Sequence, residues 1–498
     1  MTIQSRSRMS ATGKRKNQSS AVASGLALIG AVVTTVANFG LAALVLIPGR
    51  DFAGVFFAAT ALITILGTAS SLGTMTGLVY FLPQALEHNN PRSLLGVSLR
   101  PVVAFSVALG IAVFAAAPVL GGDSNVSSLR ALSIVVPSLA ISTNLTGASR
   151  GLGTMLPTVM INQILRPFLQ LALIGGLFLI GDPSQLQVAV AWGAPIVLGT
   201  LVATWWVRLL GGFEGTGPRA VSSAEFWEYT RPRSLSTGMQ IALERVDVII
   251  IQALAGNAVA GVYGAVTRFA TAGNFLAYSI SQAISPNLRR AIKRDVSGEA
   301  STLMQQSTSW LVLAAWPYFL FVSTKSTFLS GLFGQELQQG SAALTIIAIG
   351  LLASSFAGPV DLGLMMSGFS KLALVGSALA LGTDVVLNFA LVPPMGINGA
   401  AIAWAAAVIV QNGFAAIFLK RRTGLQGAGE PSVRAALTSL AAVVPLGLIL
   451  PDTLAGALAT VGLGGIVFVV LVARQRRHFG LDALDPSRIR GRRQRQRV

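Results

Sequence analysis

The chain has 498 residues, 53% of them hydrophobic and only 11% charged, with a mean hydropathy of +0.69. This composition excludes an ordinary soluble domain and points to a polytopic, all-α membrane protein. A formal charge of +18 would suggest nucleic acid in a soluble protein, but here the charges cluster between apolar runs on alternate connections, so no nucleic-acid partner is expected. Cys is absent, which rules out disulfides and thiolate metal sites, and His88 and His478 lie in polar connections far apart. No metal and no cofactor is expected.

Taking roughly 20 apolar residues per crossing, the sequence predicts fourteen spans: 22–47, 53–82, 98–120, 128–148, 155–180, 186–210, 235–256, 258–286, 306–330, 341–368, 371–393, 398–419, 433–451 and 453–473. The first follows the basic stretch Arg6 to Lys16 and, at about 26 residues, is too long for a cleaved secretory signal. With fourteen spans, 30 of the 36 Lys and Arg fall in the two tails and the connections on the same side, and only Arg50, Arg130 and Lys325 fall on the other. The positive-inside rule then places both termini in the cytoplasm. The remaining three, Arg166, Arg245 and Arg268, lie inside spans.

The expected organisation is a cytoplasmic basic tail (1–21), a six-helix lobe (22–210), a cytoplasmic linker (211–234), a second six-helix lobe (235–420), helices thirteen and fourteen (421–473) and an Arg-rich cytoplasmic tail (474–498). Within the linker, Ser222-Ser-Ala-Glu225 is a capping-box pattern that predicts a short interfacial helix. The lobes look duplicated. Phe52-Ala-Gly-Val-Phe56 parallels Val259-Ala-Gly-Val-Tyr263 at an offset of 207, and Ala189-Val-Ala-Trp192 parallels Ala401-Ile-Ala-Trp404 at an offset of 212. Spans thirteen and fourteen lie outside this repeat. The Arg-rich tail suits anionic lipid.

The most informative stretch is Glu244-Arg-Val-Asp247-Val-Ile-Ile-Ile-Gln252, followed by Gly256, Gly261-Val-Tyr263 and Arg268. A charge at this depth costs roughly 2.5 to 3.5 kcal/mol on insertion scales, so each needs a partner or a role. Asp247 lies nine residues before Gly256 and Arg268 ten after Ala258; at about 1.5 Å per residue both stand roughly 14 Å from the same turn. They are expected to face each other or to share a polar cavity. Arg245 is expected to be neutralised by Glu244 or Asp384. Glu244 and Asp247 share a helix face, as do Asp384 and Asn388, and these acids are candidates for ion coupling or simple pairing. Arg166, with no acid in any of the first six spans, is a candidate for substrate contact, as are Arg268 and Arg245. Asn388 with Asp384 could line the cavity and hydrogen-bond sugar or merely join helices. Guanidinium groups grip phosphate oxygens bidentately.

Arg245-x-Asp247-Val-Ile-Ile-Ile, Gly261-Val-Tyr263 with Arg268, Ser285-Pro286, Asn388-Phe-Ala-Leu-Val-Pro393 with Gly396-Ile-Asn-Gly399, and Arg166-Pro167 together resemble the multidrug, oligosaccharidyl-lipid and polysaccharide exporter superfamily, in its polysaccharide-biosynthesis flippase branch. The resemblance implies alternating access around a central cavity between two lobes, in the bacterial cytoplasmic membrane. It implies transport of a polyprenyl-pyrophosphate-linked oligosaccharide, with polysaccharide polymerase and glycosyltransferases as partners, and no enzymatic activity. The alternative is an ion-coupled multidrug or small-solute exporter of the same superfamily, but those typically carry an acid in the first lobe. Lipid II flippases typically carry arginines in their first helices, and here no Lys or Arg lies between Lys16 and Arg50 or between Arg50 and Arg92. A lipid II substrate is therefore the less expected one.

Overall fold

The computed structural model describes residues 29–218, 221–294, 298–476 and 478–479, so both basic tails lie almost wholly outside the described residues, as do the side chains of Ser285 and Pro286. The chain divides into two compact units, Met1–Ile241 and Ala242–Val498. It is helical throughout, and eleven helices among the described residues are long and apolar enough to cross a membrane. The protein is an all-α membrane protein.

The first unit contains α1 (Ile29–Leu46), α2 (Arg50–Ala69), α3 (Thr74–Glu87), α4 (Pro91–Gly121), α5 (Asn125–Gly151), α6 (Leu156–Ile180) and α7 (Gln185–Leu209). The second predicted span is broken into α2 and α3 at Ser70–Gly73, where Gly73 takes φ +62°. In hydrocarbon the carbonyls freed by a break have no water to bind. Here Ser70 Oγ takes the Gly67 carbonyl at 3.0 Å, while Ser71 Oγ and Thr74 Oγ1, each at 2.7 Å, add a second donor to Thr68 O and Ser71 O, which already accept from the backbone N–H groups of Ser71 and Thr74. Asn144 Nδ2 on α5 then donates to Thr74 Oγ1 at 3.0 Å, tying the break to the neighbouring helix. The chain reverses between Gly121 and Asn125, as expected: a Cβ at Gly110 would stand 3.0 Å from Ser133 O, and Arg130 lies 5.1 Å from the Phe114 ring. Helix α5 packs against α2, α3, α4 and α7. Small residues permit this, since a Cβ at Gly147 would come within 2.7 Å of Met75 Cα.

The linker differs from expectation. Ser222 Oγ accepts from Glu225 N at 3.1 Å, as the capping pattern requires, but the helix it starts, α8 (Ser223–Leu243), runs on without a break at residue 235. It stops instead at the paired charges Glu244-Arg245, after which α9 (Val246–Ala255) begins. The predicted interfacial helix and the start of the seventh span are one element.

The second unit continues with α10 (Asn257–Arg294), α11 (Glu299–Thr324), α12 (Gln335–Ala357), α13 (Val360–Met366), α14 (Ser370–Met395), α15 (Ile397–Thr423), α16 (Glu430–Ile449) and α17 (Leu454–Arg474). The tenth predicted span ends at Ala357, short of 368, because Gly358 at φ +79° and Pro359 interrupt it. Helix α16 packs on α11, and α17 on α16. Lys325, just beyond α11, holds this pair at one end. It is wholly buried and donates to Leu450 O at 2.6 Å, Pro451 O at 3.3 Å and Asp452 Oδ1 at 3.3 Å, in the turn between α16 and α17. At the other end Trp310 Nε1 donates to Phe479 O at 2.9 Å, with the Phe479 ring buried against Val312 and Ala435.

Lys325→Met should lower stability by about 1–3 kcal/mol, because two carbonyls lose their donor, whereas Asp452→Asn should cost less, the Asp452 side chain being 44% exposed. Thermal unfolding in detergent measures both. Asp361, on α13 beyond the span, is half-buried, and burial pushes its carboxyl up to about 6. The folded state therefore holds a proton that the unfolded state releases near pH 4, and stability falls as pH rises through that window. Asp361→Asn should match the parent chain near pH 4 and unfold at a higher temperature than it at pH 7.

Candidate functional site

The hairpin of α9 and α10 turns at Gly256, φ +91°, a backbone state that a side chain would strain. Gln252 Nε2 donates to Asn257 Oδ1 at 2.9 Å across the turn. One helical stretch above it, Asp247 is 3% exposed. Its carboxylate accepts from the Tyr263 hydroxyl on α10 and, at 3.1 Å, from Val248 N. The Asp247 carboxylate thus meets Tyr263, which lies five residues nearer the turn than Arg268.

Helix α14 packs against α9 and brings two more polar groups, Asp384 and Asn388, both completely buried. Asn388 Nδ2 donates to Asp384 O at 2.9 Å and to Asp384 Oδ1 at 3.1 Å. Asp384 Oδ2 and Asn388 Oδ1 are buried without a hydrogen-bond partner. Asp384 lies within electrostatic reach of Asp247 and of Tyr263. Leu243, Ala380 and Ala407 form an apolar cluster beside these groups. The site is therefore polar on one side and dry on the other.

The cations gather at the same end of α9. Arg245 lies within the electrostatic influence of Glu244 and Asp247. Arg268 on α10 lies within reach of Arg245. Both guanidinium groups are half-buried, while Glu244 is exposed on its unit. No group of three or more His, Cys, Asp or Glu side chains fit to hold a metal occurs among the described residues.

Arg166 sits in the first unit at the end of a π-helical turn, Met160–Leu165. Pro167 explains the turn, since it has no N–H for the carbonyl of Gln163 and its ring presses on that carbonyl. Thr34 Oγ1 on α1 supplies the missing donor at 3.0 Å. The Arg166 guanidinium lies 5.8 Å from the Trp192 ring centroid. The offset of 207 aligns Phe56 with Tyr263, and on it Gly40 stands where Asp247 does, Asn38 where Arg245 does and Ala61 where Arg268 does. In the first unit Phe56 meets Trp192 edge-on at 6.5 Å, and no acid is present at the corresponding place. The charged site belongs to one half of the repeat alone.

The family model for the lipid II flippase MurJ matches residues 167–462, more than half of the chain. The chain belongs to the MurJ family. This is a family of flippases, not of enzymes, and the segment that matches contains the whole α9, α10 and α14 site. Among solved structures, a lipid II flippase MurJ in an inward closed conformation superposes with a TM-score of 0.71 at 11% identity, covering 92% of this chain and 99% of that one. An inward-facing multidrug resistance MATE family transporter of the MOP superfamily gives 0.64 at 14% identity, covering 80% and 98%. A MOP superfamily transporter from Pyrococcus furiosus gives 0.56 at 15%, covering 80% and 94%. At these identities the likeness is one of fold. No curated protein sequence matches the chain. The superfamily expected from the sequence is thus correct, and the family model is the lipid II one that the missing arginines had argued against. Those missing arginines concern the first two helices, which precede residue 167 and lie outside the matched segment.

Sequence reading missed the role of Tyr263. The available signal was that a tyrosine in an otherwise apolar segment needs a partner for its hydroxyl. Tyr263→Phe should leave the Asp247 carboxylate short of a donor and lower stability by about 1–3 kcal/mol, read as a drop in the thermal midpoint in detergent. An unchanged midpoint would show that the hydroxyl contributes nothing to the buried site.

Proposed function

We propose that this MurJ-family protein translocates a polyprenyl-pyrophosphate-linked oligosaccharide from the inner to the outer leaflet of the bacterial cytoplasmic membrane, for cell-surface polysaccharide synthesis. The observation that carries this reading is the presence of two arginines, Arg245 and Arg268, within otherwise apolar helical sequence inside the family-matched segment. A pyrophosphate brings about two negative charges into a low-dielectric region, and two guanidinium groups can take it bidentately. Asp247 and Asp384 act in the return step. Two buried carboxylates in reach of one another repel, and a proton or monovalent cation between them removes that cost. Asp384 Oδ2 and Asn388 Oδ1 are the oxygens available to it.

A second reading is lipid II itself, favoured by the family description. Both substrates share the pyrophosphate anchor and differ in the glycan. Leaflet-resolved analysis of lipid-linked precursors in cells depleted of the protein separates them: an inner-leaflet build-up of oligosaccharide lipid supports the first, and of lipid-linked muropeptide the second. Normal distribution of both would remove the flippase assignment. Arg268→Ala should abolish transport at unchanged membrane abundance, with partial rescue by Arg268→Lys, because an ammonium keeps the charge and loses the bidentate grip.

A further inference from the structure

On the side where Lys and Arg concentrate, the first unit carries an open crevice of about 570 Å³ between the first turns of α4 and the start of α8. Its floor is fixed by the turn between α3 and α4. Asn90 accepts from Ser93 N at 3.1 Å and donates to Gly217 O, and Arg92 N donates to Glu214 O at 3.3 Å. Gly215, at φ +99°, lets the linker lie directly against the Asn89 carbonyl. These bonds hold the linker and α4 at a set distance.

Arg92, Gly96 and Arg100 line one wall, at spacings of four residues, and Trp227 lines the opposite wall. Positions four apart share a helix face, so Gly96 forms a gap between two cations that stand about 12 Å apart along the axis. A Cβ at Gly96 would meet nothing within 4 Å. The gap is therefore not needed for helix packing. Both arginines are exposed and Trp227 is half-buried. An adjoining crevice along α8 is lined by Trp227, Glu228 and Arg231, adding one further cation and one acid.

We propose that the gap at Gly96, bracketed by Arg92 and Arg100 and faced by Trp227, binds the phosphate headgroup of an anionic phospholipid of the cytoplasmic leaflet. Cations at this depth meet lipid phosphates, whose leaflet potential attracts them. Tryptophan favours the level of the headgroups, where an apolar ring with a polar edge is best accommodated. Below Arg100 the same helix continues as a span, so an acyl chain has an apolar surface to follow. Such a lipid fastens the linker end of the first unit to the membrane surface. The site is separate from the α9, α10 and α14 cluster and does not depend on the transported substrate.

The test uses the full-length protein in neutral detergent, with its thermal midpoint followed as dioleoylphosphatidylglycerol, dioleoylphosphatidylcholine or inorganic phosphate is added. Phosphatidylglycerol should raise the midpoint and the other two should not. Gly96→Leu should leave the midpoint without lipid unchanged and lose more than half of the phosphatidylglycerol effect, as should the double variant Arg92→Ser/Arg100→Ser. Arg421→Ser/Arg422→Ser, which removes as much exposed charge from the end of α15, should keep it. The double arginine variant decides the matter if Gly96→Leu fails to fold. Equal losses in the Arg421/Arg422 control would mean diffuse charge attraction, and an equal effect of inorganic phosphate would mean a soluble anion; either overturns the assignment. So would full retention of the lipid effect in both crevice variants.

Discussion

A backbone carbonyl in hydrocarbon has no water to bind, and much of the local structure in this chain follows from that constraint. At several points where a helix departs from regular geometry or ends, a side-chain donor takes a carbonyl. Where Pro167 denies Gln163 its hydrogen bond, Thr34 of α1 supplies one. Where α2 breaks from α3, Ser70 Oγ takes the Gly67 carbonyl. Where α16 ends, Lys325 reaches from α11 to Leu450 and Pro451. Because the donor sits on another helix in the first and last cases, local repair becomes tertiary fastening. The positions of α1 against α6 and of α16 against α11 are set in this way.

The same physics makes the polar cluster of the second unit expensive. Asp247, Tyr263, Asp384 and Asn388 are all buried, and two of their oxygens have no hydrogen-bond partner. A purely structural cluster would be expected to satisfy every oxygen or to be replaced by apolar side chains, as at Gly40 and Ala61 in the other half of the repeat. The family-matched segment, residues 167–462, contains this polar cluster.

The linker region joins fold and surface chemistry. Asn90 serves two purposes at once, capping α4 and holding the linker through Gly217. Tyr229 of α8 stacks on Tyr80 of α3 at 4.5 Å and carries the Arg233 guanidinium on its ring. These contacts bind α8 to the first unit over its early turns, so that its direction is inherited from α3 and α4. The charged break at Glu244-Arg245 then follows at the point where the second unit begins. Helix α8 is thus rigidly seated at one end and interrupted at the other.

The all-α membrane class and the superfamily were legible in the sequence, because hydropathy depends on each segment alone and the bilayer sets its length. The charged residues worth attention were legible too, since an ionisable group in an apolar run is conspicuous whatever its neighbours. What the tertiary structure decided was their partners. Equal depth on adjacent helices pointed to Asp247 and Arg268, but rotation of each helix about its axis selects which side chains meet, and it brought the Tyr263 hydroxyl to Asp247. The fusion of linker and seventh span, the early end of α12 at Gly358 and the burial of Lys325 belong to the same class. Each depends on contacts between segments distant in sequence, which a pattern read one helix at a time does not contain.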